Sequence, residues 1–456
     1  MGGALRWLGV MGGVRRRRGV VVYVCALLSA CNFAPHYARP TTEPAPAAYQ
    51  ETAGWKMAQP ADAGNRGAWW EIFNDERLNA LENQVTVSNQ NLKAAFARLQ
   101  QARAQTSIER SYLFPTLTAD ARATRGRSSV NSPTYTASKP TTGNDFALNA
   151  DVSYEFDVWG RIRNLVAAAR ASEQASAADL ATLDLSTHAE LATDYFTLRS
   201  QDTQQELLDR TASDYSGALA LTQNLFNGGA AALSDLDQAK AQLQTALTQA
   251  ADNRLRRAQT EHAIAVLLGE SPSTFHLEAM PLKLEAVPPP IDPGLPSALL
   301  ERRPDVAAAE RRVAAANAQI GVARAAYFPV FTLASALAGV ESTQISNLLS
   351  ASSRTWSVGP QGVLTVFDAG LHRAQSAQAQ AAYDEQVADY KNAVLAAYQG
   401  VEDNIAALRE LESESATEAA AVAATAGALE QANYRYEGGI ATYIEIVVAE
   451  NAALSA

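Results

Sequence analysis

The sequence predicts a mainly α-helical fold with a membrane β-hairpin pair, laid out as a two-repeat chain. Three observations predict it. Two stretches of more than sixty residues, Arg161 to Asn227 and Leu371 to Glu437, contain no proline and are rich in Ala, Leu and Gln. Short segments ahead of them alternate apolar and polar residues. The same words return in the same order about 210 residues later.

The helical signal begins at Trp69, with "WWEIFNDERLNALENQV". Leu78, Leu81, Val85, Leu92, Phe96 and Leu99 recur at helical spacing, an apolar stripe that Pro115 ends. The period then changes. In "FALNADVSYEFD", Phe146, Leu148, Ala150, Val152, Tyr154 and Phe156 alternate with polar or small residues. "TLTADARATR" does the same, and a Ser-, Thr-, Pro- and Gly-rich loop joins the two segments. This is a hairpin pattern of period two. The long helix follows, spanning roughly 100 Å at 1.5 Å per residue. Gly228-Gly229 interrupts it, and a returning helix is expected from about Ser234 to Leu268. Seven prolines between Gly269 and Pro296 mark a linker.

The second copy repeats this order. Phe328-Pro329 answers Phe114-Pro115, and Phe367-Asp368 answers Phe156-Asp157. Gly438-Gly439 answers Gly228-Gly229. Strands are expected around 330–340 and 355–367, with weaker alternation than in the first pair. A period this long with three anchors implies an internal duplication. The Asp of each "FD" is read as a cap on the long helix behind it. By the same repeat the last helix is expected to run to about residue 479, so the chain, ending at Ala456, is read as short in that helix.

Composition narrows the function. At 47% hydrophobic and 19% charged, the chain is not a disordered tail. A net charge of −11 argues against nucleic acid as a partner. The two cysteines, Cys25 and Cys31, provide no metal-ligand spacing. Both lie in "RRRRGVVVYVCALLSAC", a basic run followed by an apolar run that is too short to span a bilayer. Residues 1–30 read as a signal peptide, with Met1 or Met11 as the start. Leu28-Ser29-Ala30-Cys31 resembles a bacterial lipobox, so Cys31 is the candidate lipidation site. Asn32 after it, by resemblance to lipoproteins, favours outer-membrane sorting. The expected organisation is an extended strap over 31–68, a first repeat over 69–268, a linker over 269–296 and a second repeat over 297–456.

Four strands cannot close a barrel, and open edges are forbidden in lipid. Several chains must therefore contribute if the strands lie in a membrane. "LLERRPDVAAAERRVAAANAQIGVARAAYFPVFTL" resembles the signature of the TolC-like outer-membrane efflux factors of the lipoprotein (NodT) type. "WWEIFNDERLNAL", "YEFDVWGRIRN", "LFNGGAAALSDLDQAKAQL", "YRYEGGIATYIEIVVAEN" and "CNFAPHYARP" are similar to the same family. The resemblance implies a homotrimer, with four strands per chain in a twelve-stranded barrel and a long helical tunnel in the periplasm. It also implies an exit duct that works with a periplasmic adaptor and an inner-membrane pump of the resistance-nodulation-division class. A type I protein-secretion duct and a coiled-coil scaffold lipoprotein are the alternatives; the scaffold predicts that "FALNADVSYEFD" is not a strand.

No nucleophile, zinc-protease or phosphate-loop motif occurs, so no enzyme, metal or cofactor is expected beyond a lipid on Cys31. The candidate functional residues lie at the helix reversals. Gly228, Gly229, Gly438 and Gly439 permit tight turns. Asp235, Glu445 and, more weakly, Asp237 stand in the first turns of the returning helices, where acids also favour the helix dipole. The resemblance makes these tips the narrow periplasmic end and the adaptor docking site. Val448 stands where some family members carry a further acid.

Overall fold

The computed structural model describes residues 32–42, 67–131, 133, 141–282 and 302–456. The signal peptide, Cys31, most of the strap and the latter part of the linker lie outside the described residues. A short 3-10 turn, Trp69–Phe73, leads into α1 (Glu76–Ser88) and α2 (Gln90–Ser111). Next come β1 (Thr116–Arg127), β2 (Thr142–Phe156), α3 (Arg161–Asn227) and α4 (Leu233–Leu267). The second copy gives α5 (Pro304–Ala325), β3 (Val330–Ser342), β4 (Arg354–Val363), α6 (Leu371–Glu437) and α7 (Tyr443–Ser455). Both long helices thus have the bounds that the proline-free stretches set.

The chain forms two compact units, and each takes material from both repeats. One comprises Met1–Thr42, Arg98–Ala178 and Asp305–Ala393. It carries the sheet, whose strands run antiparallel in the order β1-β2-β3-β4. Register keeps like with like: Leu117, Ala119, Ala121 and Ala123 face Val152, Ala150, Leu148 and Phe146. The polar set pairs Thr118 with Asp151, Asp120 with Asn149 and Thr124 with Asp145. Arg122 reaches Asp145 at 2.9 Å, and Asn149 donates to Asp120 at 3.3 Å. Every residue of β1 is exposed, and Trp356 on β4 is 79% exposed, so among the described residues nothing covers either edge strand.

Two strand expectations change. The alternation of β3 is weak in the sequence because its register shifts between Ala334 and Leu337. β4 ends at Val363 and not at Phe367. Its partner β3 begins at Val330, just after Pro329, so residues beyond 363 have no strand to pair with. Pro360 sits in this strand because β4 is an edge.

Each strand-to-helix corner is tied by its Asp. Asp157 accepts from the N–H groups of Ile162 and Arg163, each at 2.9 Å, and pairs with the Arg163 guanidinium. Asp368 accepts from the N–H groups of Gly370 and His372 at 2.8 and 2.9 Å. Both act as the caps that the sequence predicts. The described part of the strap lies on α5 in this unit. Phe33 stacks on Phe328, which stacks on Trp159, and Asn317 donates to the Pro35 carbonyl. Tyr37 donates to the Glu310 carbonyl, and burial, then the Glu310 charge, pushes its hydroxyl up to about 12.

The other unit comprises Glu43–Ala97, Asp179–Pro304 and Val394–Ala456. Its core joins Trp70, Leu78, Leu81, Val85, Leu92, Leu191, Tyr195, Leu198, Ile264 and Leu268. Phe96, placed on the apolar stripe by its spacing, is 53% exposed instead. The single helix expected there is two. Asn89 caps α2 by accepting from the Leu92 N–H, and its amide donates to the Leu267 carbonyl. Asp75 caps α1 through the N–H groups of Arg77 and Leu78 and also accepts from the Tyr195 hydroxyl. Burial alone would raise this carboxyl. The Leu78 N–H, the Tyr195 hydroxyl and Arg199 outweigh it and hold Asp75 below its usual range. Arg257 ties Asp202, Glu261 and the Leu277 carbonyl together at 2.7–2.9 Å, and this pins the start of the linker to the helices.

Candidate functional site

The two helix reversals have the same hydrogen bonds, residue for residue. At the first tip, the Ala230 N–H reaches the Leu225 carbonyl at 2.8 Å and the Gly229 N–H reaches Phe226 at 3.0 Å. At the second, Ile440 reaches Arg435 and Gly439 reaches Tyr436, each at 2.9 Å. This crossed pair of bonds is a Schellman ending, which requires a left-handed residue just past the helix. Gly229 (φ +74°) and Gly439 (φ +69°) supply it. Gly228 and Gly438 do not have positive φ, so of each glycine pair only the second is required by backbone geometry.

The acids follow three residues into each returning helix. Asp235 accepts from the Ala232 N–H at 3.1 Å, and Glu445 accepts from the Thr442 N–H at 3.4 Å. Each thus satisfies a donor that the helix start leaves open. Their charges differ in setting. Glu445 pairs with Arg435 at 3.1 Å, across its own tip. Asp235 forms no ion pair among the described residues, and Asp237 pairs with Lys240 at 3.6 Å. Arg435 is the residue that sequence reasoning missed. It lies in the last turn of α6, where a base favours the helix dipole, and that is the signal that could have found it.

The tips lie side by side. Ala239 of α4, Ile446 and Val447 of α7, Leu219 of α3, and Ala432 and Tyr436 of α6 form one apolar cluster just behind the turns. Ile440, Leu233, Ile444 and Val448 are exposed around them. Among the described residues, no cluster of His, Cys, Asp and Glu could hold a metal ion.

Residues 81–270 and 295–456 match the protein family described as outer membrane efflux protein, and the gap between them falls on the proline-rich linker. The chain belongs to the outer membrane efflux protein family. It is 32% identical over 441 residues to the outer membrane protein OprJ of Pseudomonas aeruginosa, covering 95% of this chain and 90% of that one. It is 30% identical over 433 residues to the probable efflux pump outer membrane protein TtgC of Pseudomonas putida, covering 94% and 88%. Its fold matches the solved outer-membrane channel OprN with a TM-score of 0.84 at 31% identity, over 93% of this chain and 94% of that one.

This efflux protein is an outer-membrane channel of a tripartite efflux system. Its fold is that of a trimeric channel, with four strands per chain in the barrel and a helical tunnel in the periplasm. The unpaired edges β1 and β4 and the apolar face of the sheet have their explanation in that assembly. The strand at 142–156 also removes the barrel-free scaffold reading.

Proposed function

We propose that the paired hairpin tips form the narrow periplasmic end of the duct and the surface on which a periplasmic adaptor docks. The observation that carries this reading is the pair of equivalent turns, side by side, each with an acid three residues into its returning helix. In a homotrimer each acidic position becomes a ring of three. Like charges in a narrow pore attract cations. Arg435 neutralises Glu445, so Asp235 carries most of the field in this reading. The upstream partner is an inner-membrane pump of the resistance-nodulation-division class. The duct itself passes small solutes chosen by that pump and catalyses nothing.

Single-channel recording tests the tip assignment. Asp235→Asn keeps an oxygen to accept from Ala232 while removing the charge. It should lower cation preference, and Glu445→Gln should lower it less. Equal selectivity in wild type and Asp235→Asn would place the tip elsewhere.

The mature chain in this reading starts at Cys31 with a covalent lipid, which keeps it at the outer membrane. Mass spectrometry of the N-terminal fragment should show an acylated cysteine in the wild type. An unmodified fragment would reject the anchor.

A further inference from the structure

Outside the tips, one buried acid–imidazole pair stands apart. Glu82 on α1 is fully buried, and its Oε2 lies 2.6 Å from Nδ1 of His188 on α3, itself 3% exposed. The other carboxylate oxygen, Oε1, is buried with no partner. The ring of Trp70 stacks on the imidazole, with centroids 4.5 Å apart and planes 18° apart. On its far side, His188 Nε2 faces Thr86 Oγ1 at 3.4 Å and Asp184 at 3.6 Å. A cavity of about 400 Å³, lined by Trp69, Trp70, Thr86, Asp184, Leu185 and His188, opens on this edge.

We propose that Glu82 and His188 form a proton-operated latch that fastens α1 and the tryptophan turn to α3. A protonated Glu82 carboxyl donates its O–H from Oε2 to Nδ1 of His188, whose other ring nitrogen lies toward Thr86 and Asp184 while its face lies on Trp70. The loss of that proton leaves Glu82 as a buried anion, with Oε1 still unpaired. Such a charge is costly in a protein interior. The charged groups around the pair are accounted for on each element. The tryptophan turn contributes only Glu71, which is exposed. α1 supplies Glu82, and α3 supplies Asp184 and, two residues after His188, the exposed Glu190. α4 brings the apolar Ile264, Leu267 and Leu268 to the same core, while its Glu261 is taken by Arg257 and Leu277. Arg302 and Arg303 line the adjoining cavity with Trp69 and Leu185, not the one that His188 lines.

The sign follows from the carboxyl. Burial raises Glu82 above its ordinary range, against the opposing pull of His188. A raised folded-state value contributes stability that is present below the ordinary carboxylate range and lost as pH rises through the raised one. The latch therefore holds in acid and loosens toward alkaline pH.

The test uses the full-length assembly in detergent or native membranes. The melting midpoint of the wild type should fall from mildly acidic to mildly alkaline buffer. Glu82→Gln, whose neutral amide still bonds His188, should flatten that slope. A second measurement needs no variant. Hydrogen exchange of the α1 amides Arg77 to Ser88, corrected for intrinsic rate, should lose up to about tenfold protection per pH unit, the slope of one proton. Amides in the middle of α6 should not follow. A Glu82→Gln slope equal to wild type, or α1 protection that does not change with pH, would overturn the latch.

Discussion

A single residue at each tip sets the geometry of the reversal. Gly229 and Gly439 alone hold a left-handed backbone there, while Gly228 and Gly438 end their helices with ordinary torsions. An added Cβ at Gly228 would meet nothing nearer than the Asn224 carbonyl at 3.5 Å. Gly229→Ala should therefore cost about 1–2 kcal/mol, the penalty of an L-residue in that region. Gly228→Ala should stay within about 0.5 kcal/mol. Thermal unfolding of the two variants side by side checks this, and equal losses would refute it. The doubled glycine was legible in the sequence, but the asymmetry between its members was not. That asymmetry lives in φ, and two adjacent glycines offer the chain the same freedom. The capping Asp residues were more legible, because an acid at the start of a long helix has few other roles that stabilise it. Asp75 shows where that legibility stops. Its cap is local, but its bond to Tyr195 spans 120 residues of chain.

Elements were read best where the period was long. The bounds of α3 and α6 were plain because no proline and no turn word occurs within them. The break at Asn89 was not, since its cap depends on the Leu267 carbonyl brought there by α4. In the sheet, strict alternation marked β1 and β2, whereas the shift within β3 scrambled its own signal. The face of β4 now follows from register. Trp356 pairs with Ala338, and Val358, two residues on, shares its side of the strand. Ser357 pairs with Leu337, which pairs in turn with Asp151, so it lies on the opposite, polar side of the sheet, the side that a barrel turns to its lumen. A charge on the lipid face of a barrel costs about 2–4 kcal/mol at the midplane, whereas the lumen tolerates it. Val358→Asp should thus reduce the heat-modifiable trimer seen on gels, and Ser357→Asp should not. Loss of the trimer from Ser357→Asp and not from Val358→Asp would show that the faces are reversed, and equal yields from both would refute the assignment.

At the scale of the whole molecule, the duplication does not map onto the compact units. Each unit interleaves pieces of both repeats, because the two long helices run through both of them. A repeat is therefore a unit of sequence, not of packing. The edges of the sheet and the exposed apolar face are complete only in an assembly of chains within a bilayer, which is why one chain leaves β1 uncovered on both sides. By itself the sequence determined the helix lengths, the hairpins, the family and the place of the tips, since each depends on local periodicity or on words that repeat. Tertiary structure alone decided which acid pairs with Arg435 across its tip, and that Glu82 and His188 meet. Those facts depend on side chains from elements distant in sequence, and no period along the chain encodes which of them will face each other.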